Sequence, residues 1–460
     1  MRPRPKARRW RSIATAAFST LPSSASRGRT VSITRCSTAT VTVNVNGRGV
    51  FVNNSQAVNG NGSQASPFNN LADAIAGATS GDTIFVYAGD GTAANQTGDF
   101  VLPQGVDLIG QAQGLVVAQT IEPVGNRPVI SGTVTAQGDN VIAGLEFNNA
   151  SLAPAIEADN VSNLTIENNL FTDLIDDNIG LQNIGTSLNI RDNQFVAVGD
   201  NDDAINLDQV NTDAAITISG NTFADSEGLD PDEAIDIDIE GTSVVALTVT
   251  NNVLTGDLVV DNGSSEAFDL GLYLEVIDNA DVTLIFTGNT FTDAVDDQAV
   301  WVGSFSSKGV DATISDNTID GSGDDGIDYE WYDDVADTFV VRIENNDISN
   351  VSSKDIDIDG YSSAASRGVF FVRDNTAATT GNSASMQFDL AGSATACLDL
   401  FGNSFASNLY INGGTFDIER LYASEGGPLD ATGVNSVLGD VSIFGDLTSR
   451  TAGYCLTQIP

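Results

Sequence analysis

The chain is 460 residues long and 41% hydrophobic, with 62 acidic against 19 basic side chains and no histidine. Nine of the bases fall in the first 35 residues, which hold no acid, so the ten bases left against 62 acids give residues 36–460 a formal charge of −52. Such a body repels phosphate backbones and anionic lipid, which argues against nucleic-acid binding, while its content of Val, Ile, Leu and Phe is too high for a disordered acidic chain.

Residues 1–40 form a basic, then small and apolar, targeting-like segment, whose order of residues points to export although its apolar stretch is broken by Ser, Thr and Pro. Residues 41–100 are expected to close one end of the fold. There "SPFNNLADAIAGATSGDTIFVYAGDG" places Leu71, Ala74, Ile75 and Ala78 on one helical face and is followed by the strand "TIFVY".

From residue 101 to about 405 the chain repeats itself. Units such as "ITISGNTF", "TLIFTGNTF" and "CLDLFGNSF" bring Asn169, Asn193, Asn221, Asn252, Asn289, Asn317, Asn346, Asn375 and Asn403 into one column, at spacings of 24 to 37 residues. Between them runs a second column of inward Ile, Phe or Val, in "DDAINL", "DEAIDI", "EAFDL", "DQAVWV", "DDGIDY" and "KDIDI". Each repeat thus holds at least two short strands of period-2 alternation with no helical pattern between them, and strands so short bury an apolar side only by stacking turn upon turn. Residues 406–460 remain strand-like and are expected to close the other end.

These units resemble the right-handed parallel β-helix, or pectin-lyase-like, superfold of secreted bacterial proteins. The resemblance implies an all-β fold: a right-handed parallel β-helix solenoid with a short N-terminal capping helix. It implies little about chemistry, because that superfold hosts lyases, hydrolases, epimerases, adhesins and tailspikes. With no histidine, the chain lacks the Gly-His-Gly segment of polygalacturonase-like members and the Asp-Pro-His-Glu of alginate epimerases.

The residues beside the second column face outward and read Gly180, Asn206, Asp236, Asp269, Trp301, Asp328, Asp357 and Asp389, with Gln182, Asp208, Asp238, Gly271, Gly303, Glu330 and Asp359 two positions on. Like charges stacked at ~4.8 Å repel. They call for high salt, bound cations or raised pKa values. Asp236, Asp238, Asp269, Asp328, Asp357 and Asp359 are therefore candidate Ca²⁺ ligands, since Ca²⁺ accepts oxygens in flexible geometry. Asp236, Asp238, Asp269, Asp328 and Glu330 are candidate catalytic carboxylates, with Lys308, Arg342, Lys354 and Arg367 as candidate lyase bases.

Trp301, Trp331 and Tyr332 are a candidate sugar platform, although alternation also allows Trp331 to point inward. Insertions at "DSEGLDPDE" and "GDLVVDNGSSE" mark a candidate binding side. Arg191 and Arg373 fall opposite Glu167 and Glu344 of neighbouring turns and read as cross-turn ion pairs. Cys397 and Cys455 are the expected disulfide of an exported protein, although three cysteines leave the pairing open.

The expectation is an exported, acidic, extracellular or cell-surface bacterial protein that contacts polysaccharide or cell-surface matrix, with no membrane span. The alternatives are a polysaccharide lyase or glycoside hydrolase and a non-catalytic structural rod.

Overall fold

The computed structural model describes residues 47–460 except 118–119, 149–152, 173, 197, 199–201, 225–230, 257–267, 293–294, 296, 333–337, 363–365, 382, 420–434, 439, 451–452 and 460. The targeting-like segment, Cys36 and most of both insertions lie outside the described residues. The chain is a right-handed parallel β-helix. A full turn is illustrated by three strands, Ile179–Gln182, Gly185–Arg191 and Gln194–Phe195, here called the first, second and third faces.

Each strand pairs in parallel with its counterpart one turn on: Ile179–Gln182 with Ile205–Val210, and Gly185–Arg191 with Ala214–Ser219. Among the described residues the third face is a sheet of twelve strands. Near the C-terminus the first two faces merge into long strands, Ala384–Phe401, Leu409–Glu419 and Val441–Arg450.

Alternation explains the core. Ile216 and Ile218 of "ITIS" are buried and stack on Leu188 and Ile190 below and on Leu247 and Val249 above. On the third face Phe147, Phe171, Phe195 and Phe223 stack ring on ring, with centroids 4.7–5.2 Å apart. Apolar area buried in this way is the dominant favourable term, at about 25 cal/mol per Å².

The helix Leu71–Gly77 starts at Asn70, whose side chain accepts from the Asp73 N–H at 2.8 Å, and it buries Leu71 and Ala74 against the first strands. At the other end Cys397 and Cys455 are bonded, Cα to Cα 5.6 Å, and Tyr454 and Ile459 cover Val369 and Phe371 on the outer side of the second face.

All nine column asparagines are buried between the second and third faces. Asn169 Oδ1 accepts from the Leu145 N–H, and from Asn193 onward each Oδ1 accepts both the backbone N–H and the amide of the Asn one turn earlier; for Asn289 the donors are Asn252 N and Nδ2, at 2.9 and 3.1 Å. Its own Nδ2 donates to the Val249 carbonyl at 3.0 Å and to Asn317 Oδ1 at 3.1 Å. Asn435 extends the ladder one turn further.

The left-handed residue at this corner is the one before the ladder Asn: Asn168, Asp192, Gly220, Asn251, Gly288, Asp316, Asn345, Asp374 and Gly402 all have positive φ. Only Gly, Asn and Asp occupy it, the residues that tolerate that conformation. In "ITISGNTF" it is therefore Gly220 that turns, while Asn221 stitches one turn to the next.

Candidate functional site

The first face carries the chemistry, and its register fixes which side chains are neighbours. Along one outward column the pairing runs Glu157, Gly180, Asn206, Asp236, Tyr273, Trp301, Asp328, Asp357, Gln387 and Tyr410. The second column holds Asp159, Gln182 and Asp208, then Asp238, Glu275, Gly303, Glu330, Asp359, Asp389 and Asn412. Between Asp208 and Asp238 the ladder has a bulge, with Gln209 at φ 54°.

Three sequence-derived placements change, one being Asp389, which falls in the second column while Gln387 takes the first-column position assigned to it. Asp269 is not in the stripe: the strand of that turn is Leu272–Asp278, so Tyr273 and Glu275 hold the positions assigned to Asp269 and Gly271. Asp269 lies at the corner leading into the first face. There its N–H donates to the Asp232 carbonyl at 2.7 Å and its own carbonyl accepts from Asp297 at 2.9 Å.

Trp331 faces inward with no exposed surface, against Phe339, Phe370 and Phe388. A Cβ on its neighbour Gly360 would collide with the indole, so the missing side chain makes room for the ring. A ring enclosed in this way cannot touch a substrate.

Trp301 faces outward and is half-buried. It stacks on Tyr273 with centroids 4.5 Å apart and 19° between planes, and it lies over Gly303, where a Cβ would collide with it. Tyr332 stacks between Phe305 at 4.6 Å and Tyr361 at 5.0 Å, so neighbouring rings cover both of its faces. Its hydroxyl donates to Glu330 at 2.5 Å, as Tyr361 does to Asp359 at 3.0 Å. Tyr273, Phe305 and Tyr361 lie outside the sequence-derived platform because each meets Trp301 or Tyr332 from a neighbouring turn, far away along the chain.

Before this aromatic zone lies a groove of about 520 Å³ lined by Thr135, Pro154, Glu157, Asp159, Asp177, Gly180, Gln182, Asn206, Asp208, Asp236 and Asp238, among others. Burial pushes Asp236 up to about 8, with the charges of Asp203 and Asp238 adding to it. Asp238 rises to about 6 by burial and by Glu275, and Asp177 to about 7 by burial, outweighing a hydrogen bond from the Asp203 N–H. Behind them the coupled pair Asp203 and Glu233 is also raised, mainly by burial.

Further along, Asp328 is 5% exposed, and burial followed by the charge of Glu330 lifts it to about 9. Burial pushes Asp357 up to about 7 against a hydrogen bond from Lys354, and burial also raises Asp359. Lys354 sits 2.6 Å from Asp357 and 3.2 Å from Asp325. Burial lowers its pKa, but these two carboxylates outweigh it and hold the amine protonated, which removes it as a base.

Arg367 is paired to Asp417 at 3.0 Å, and Arg342 lies over the Phe371 ring and 3.9 Å from Glu344. Lys308 follows the strand Val300–Ser306, and its N–H donates to Ser306 Oγ. Arg191 is ion-paired to Glu167, and Arg373 to Asp399 and, at 3.7 Å, to Glu344.

Among the described residues, the group of three carboxylates whose oxygens all lie within 4.8 Å of one another, as a shared ion requires, is Asp176, Asp177 and Asp202. They head a corner column, one acid per turn, that continues through Asp232, Asp269, Asp297 and Asp324 by backbone hydrogen bonds. No helix among the described residues is long and apolar enough to cross a membrane.

The fold and this face define a parallel β-helix with one acidic, aromatic-bearing side. A family described as a protein of unknown function, DUF1565, matches residues 52–280. No curated protein matches the chain. Among solved structures the chain is similar to the A-module of the Azotobacter vinelandii mannuronan C-5 epimerase AlgE6, at 12% identity and a TM-score of 0.34, over 83% of this chain and 93% of that one.

Proposed function

We propose that the protein is an exported surface or matrix component that contacts polysaccharide along its first face. One observation carries this reading: the Tyr273–Trp301 stack continues, turn by turn in register, into the 520 Å³ groove of carboxylates and amides. Aromatic surface suits the C–H faces of sugars, and carboxyl and amide groups suit their hydroxyls. Binding measured on a panel of neutral, anionic and aminated glycans tests it. Trp301→Ala and Tyr273→Ala are expected to weaken binding at least tenfold, and no binding to any glycan overturns the reading in favour of a structural rod.

A second reading, a polysaccharide hydrolase, is favoured by Asp328, a carboxyl held protonated beside Glu330. The two side chains stand two positions apart on one strand and face outward from it. Release of new reducing ends from the same panel, lost in Asp328→Asn, supports it; no release from any glycan removes it.

Calcium is proposed as a counter-ion for this acidity, held by the Asp176–Asp177–Asp202 cluster; the expected ligands Asp236, Asp238, Asp328, Asp357 and Asp359 form no such convergent group of three among the described residues. Carboxylate oxygens are the donors Ca²⁺ prefers, and a ligand bound only to the folded state raises its stability. Millimolar CaCl₂ should raise the melting temperature more than NaCl of equal ionic strength; an equal rise rejects specific binding.

A further inference from the structure

We infer that the first face takes a polysaccharide bearing free amines, a polymer of hexosamines with unsubstituted ammonium groups, in preference to neutral or uronate chains. The inference rests on the polysaccharide reading and names the substrate class of the same face.

Charge comes first. The groove is lined by Glu157, Asp159, Asp177, Asp208, Asp236 and Asp238, and no lining residue is Lys or Arg. The one first-face lysine in these turns, Lys354, is committed to Asp325 and Asp357, on the turn of Asp357 and four turns from Asp236, about 19 Å away at the strand spacing. A uronate chain laid here sets carboxylate against carboxylate with no base to relieve it. A neutral chain desolvates the acids without compensating them, and buried charge without a partner is costly.

Hydrogen bonding gives the second indication. Asp236 Oδ1 and Asp238 Oδ1 are shielded from solvent and accept no hydrogen bond. The same holds for Asp328 Oδ1, on a side chain only 5% exposed. Asp328 lies next to Trp301 in the outward column, and Tyr273 supports Trp301 from the turn before. An unpartnered carboxyl beside an indole is the pairing an ammonium recognises: the approaching cation favours its ionised form, which then takes charge-assisted N–H···O bonds while the ring adds cation–π attraction. Hydroxyls of a neutral sugar use the carboxylate less well, because they bring no charge.

Shape agrees. Gly180 occupies the outward column between Glu157 and Asn206, and a Cβ there would strike Pro154 and approach Asp177. The groove floor is thus kept open where the acids converge. Acids recurring on successive turns, with Trp301 between Asp236 and Asp328, suit a linear polymer with repeating amines better than a single small amine.

Three length-matched probes test this by calorimetry at pH 7: a glucosamine tetramer, its fully N-acetylated counterpart and a tetragalacturonate. The expected result is that the amine tetramer binds at least tenfold more tightly than either other probe and loses that preference in 0.5 M NaCl. Asp236→Asn/Asp238→Asn and Asp328→Asn, near-isosteric changes that keep the strands intact, should each weaken the amine tetramer about tenfold, and at least five times more than they weaken the acetylated one. Equal affinity for all three probes, or preference for either of the others, overturns this inference and leaves the polysaccharide reading standing. Binding of none overturns both.

Discussion

Two columns of polar side chains run along the β-helix at the same spacing, and they behave in opposite ways. In the asparagine ladder each amide is donor and acceptor at once, so identical residues stacked at ~4.8 Å satisfy one another and can be buried without penalty. In the first-face stripe the stacked groups are carboxyls, which when ionised only accept. There stacking leaves Asp236, Asp238 and Asp328 each with an oxygen that nothing satisfies. Repetition is therefore scaffold where the side chain complements itself and a site where it does not.

The sharpest way to break that contrast is to remove one ladder rung. Asn289→Ala deletes an acceptor for the Asn252 N–H and amide and a donor to Val249 and Asn317, all buried. At about 1–3 kcal/mol for each buried group left unpaired, the loss should be roughly 4 kcal/mol, seen as a fall in the denaturant midpoint with unchanged slope. A cost under about 1 kcal/mol would mean that water replaces the ladder and that the asparagines are not what holds the turns together.

The stripe should respond in the other direction. Asp236, Asp238, Asp328 and Asp357 have raised folded pKa values, about 6 to 9 against an ordinary value near 3.8. The folded state then binds more protons than the unfolded state across that window. Their contribution is fully present below the unfolded pKa and is lost as pH rises through the raised values. The melting temperature should accordingly fall between pH 5 and pH 9. Asp328→Asn, which removes a buried charge and keeps the shape, should stabilise the protein by about 1–2 kcal/mol at pH 9 and flatten that slope. A melting temperature that climbs with pH would show that bound cations already compensate the stripe.

Much of this contrast was legible in the sequence, and its failures have physical reasons. The ladder could be read because its residues are obligatory: a buried amide stack admits Asn, and the corner before it admits only Gly, Asn or Asp, so the pattern survives insertions. The stripe could be read only where the strand was locally unambiguous. At "EAFDL" the eye takes Phe268 for the inward residue and Asp269 for its outward neighbour. The longer alternation "LYLEVI" that places Leu272 and Leu274 inside was the better signal. Trp331 misled because its residue type suggests a ligand platform, whereas alternation and the glycine at 360 already offered it a place in the core. The groove could not be read at all, since it depends on which acids the backbone shields and on a missing side chain at Gly180.

A third kind of column completes the comparison and carries the smallest expected effect. On the second face Glu167 and Arg191 stack as opposite charges, 2.6 Å from Oε2 to Nε, so the pair complements itself as the asparagines do, but in solvent. The arginine side chain is 52% exposed. Water already satisfies both groups, and salt screens them, so complementarity should contribute little here. Arg191→Ala is expected to cost between 0 and 1 kcal/mol in 50 mM NaCl, and less in 1 M NaCl, by chemical denaturation. A loss above 2 kcal/mol that persists in high salt would mean that self-complementary stacking stabilises this fold even without burial. Burial would then not be what separates the ladder from the rest of the surface.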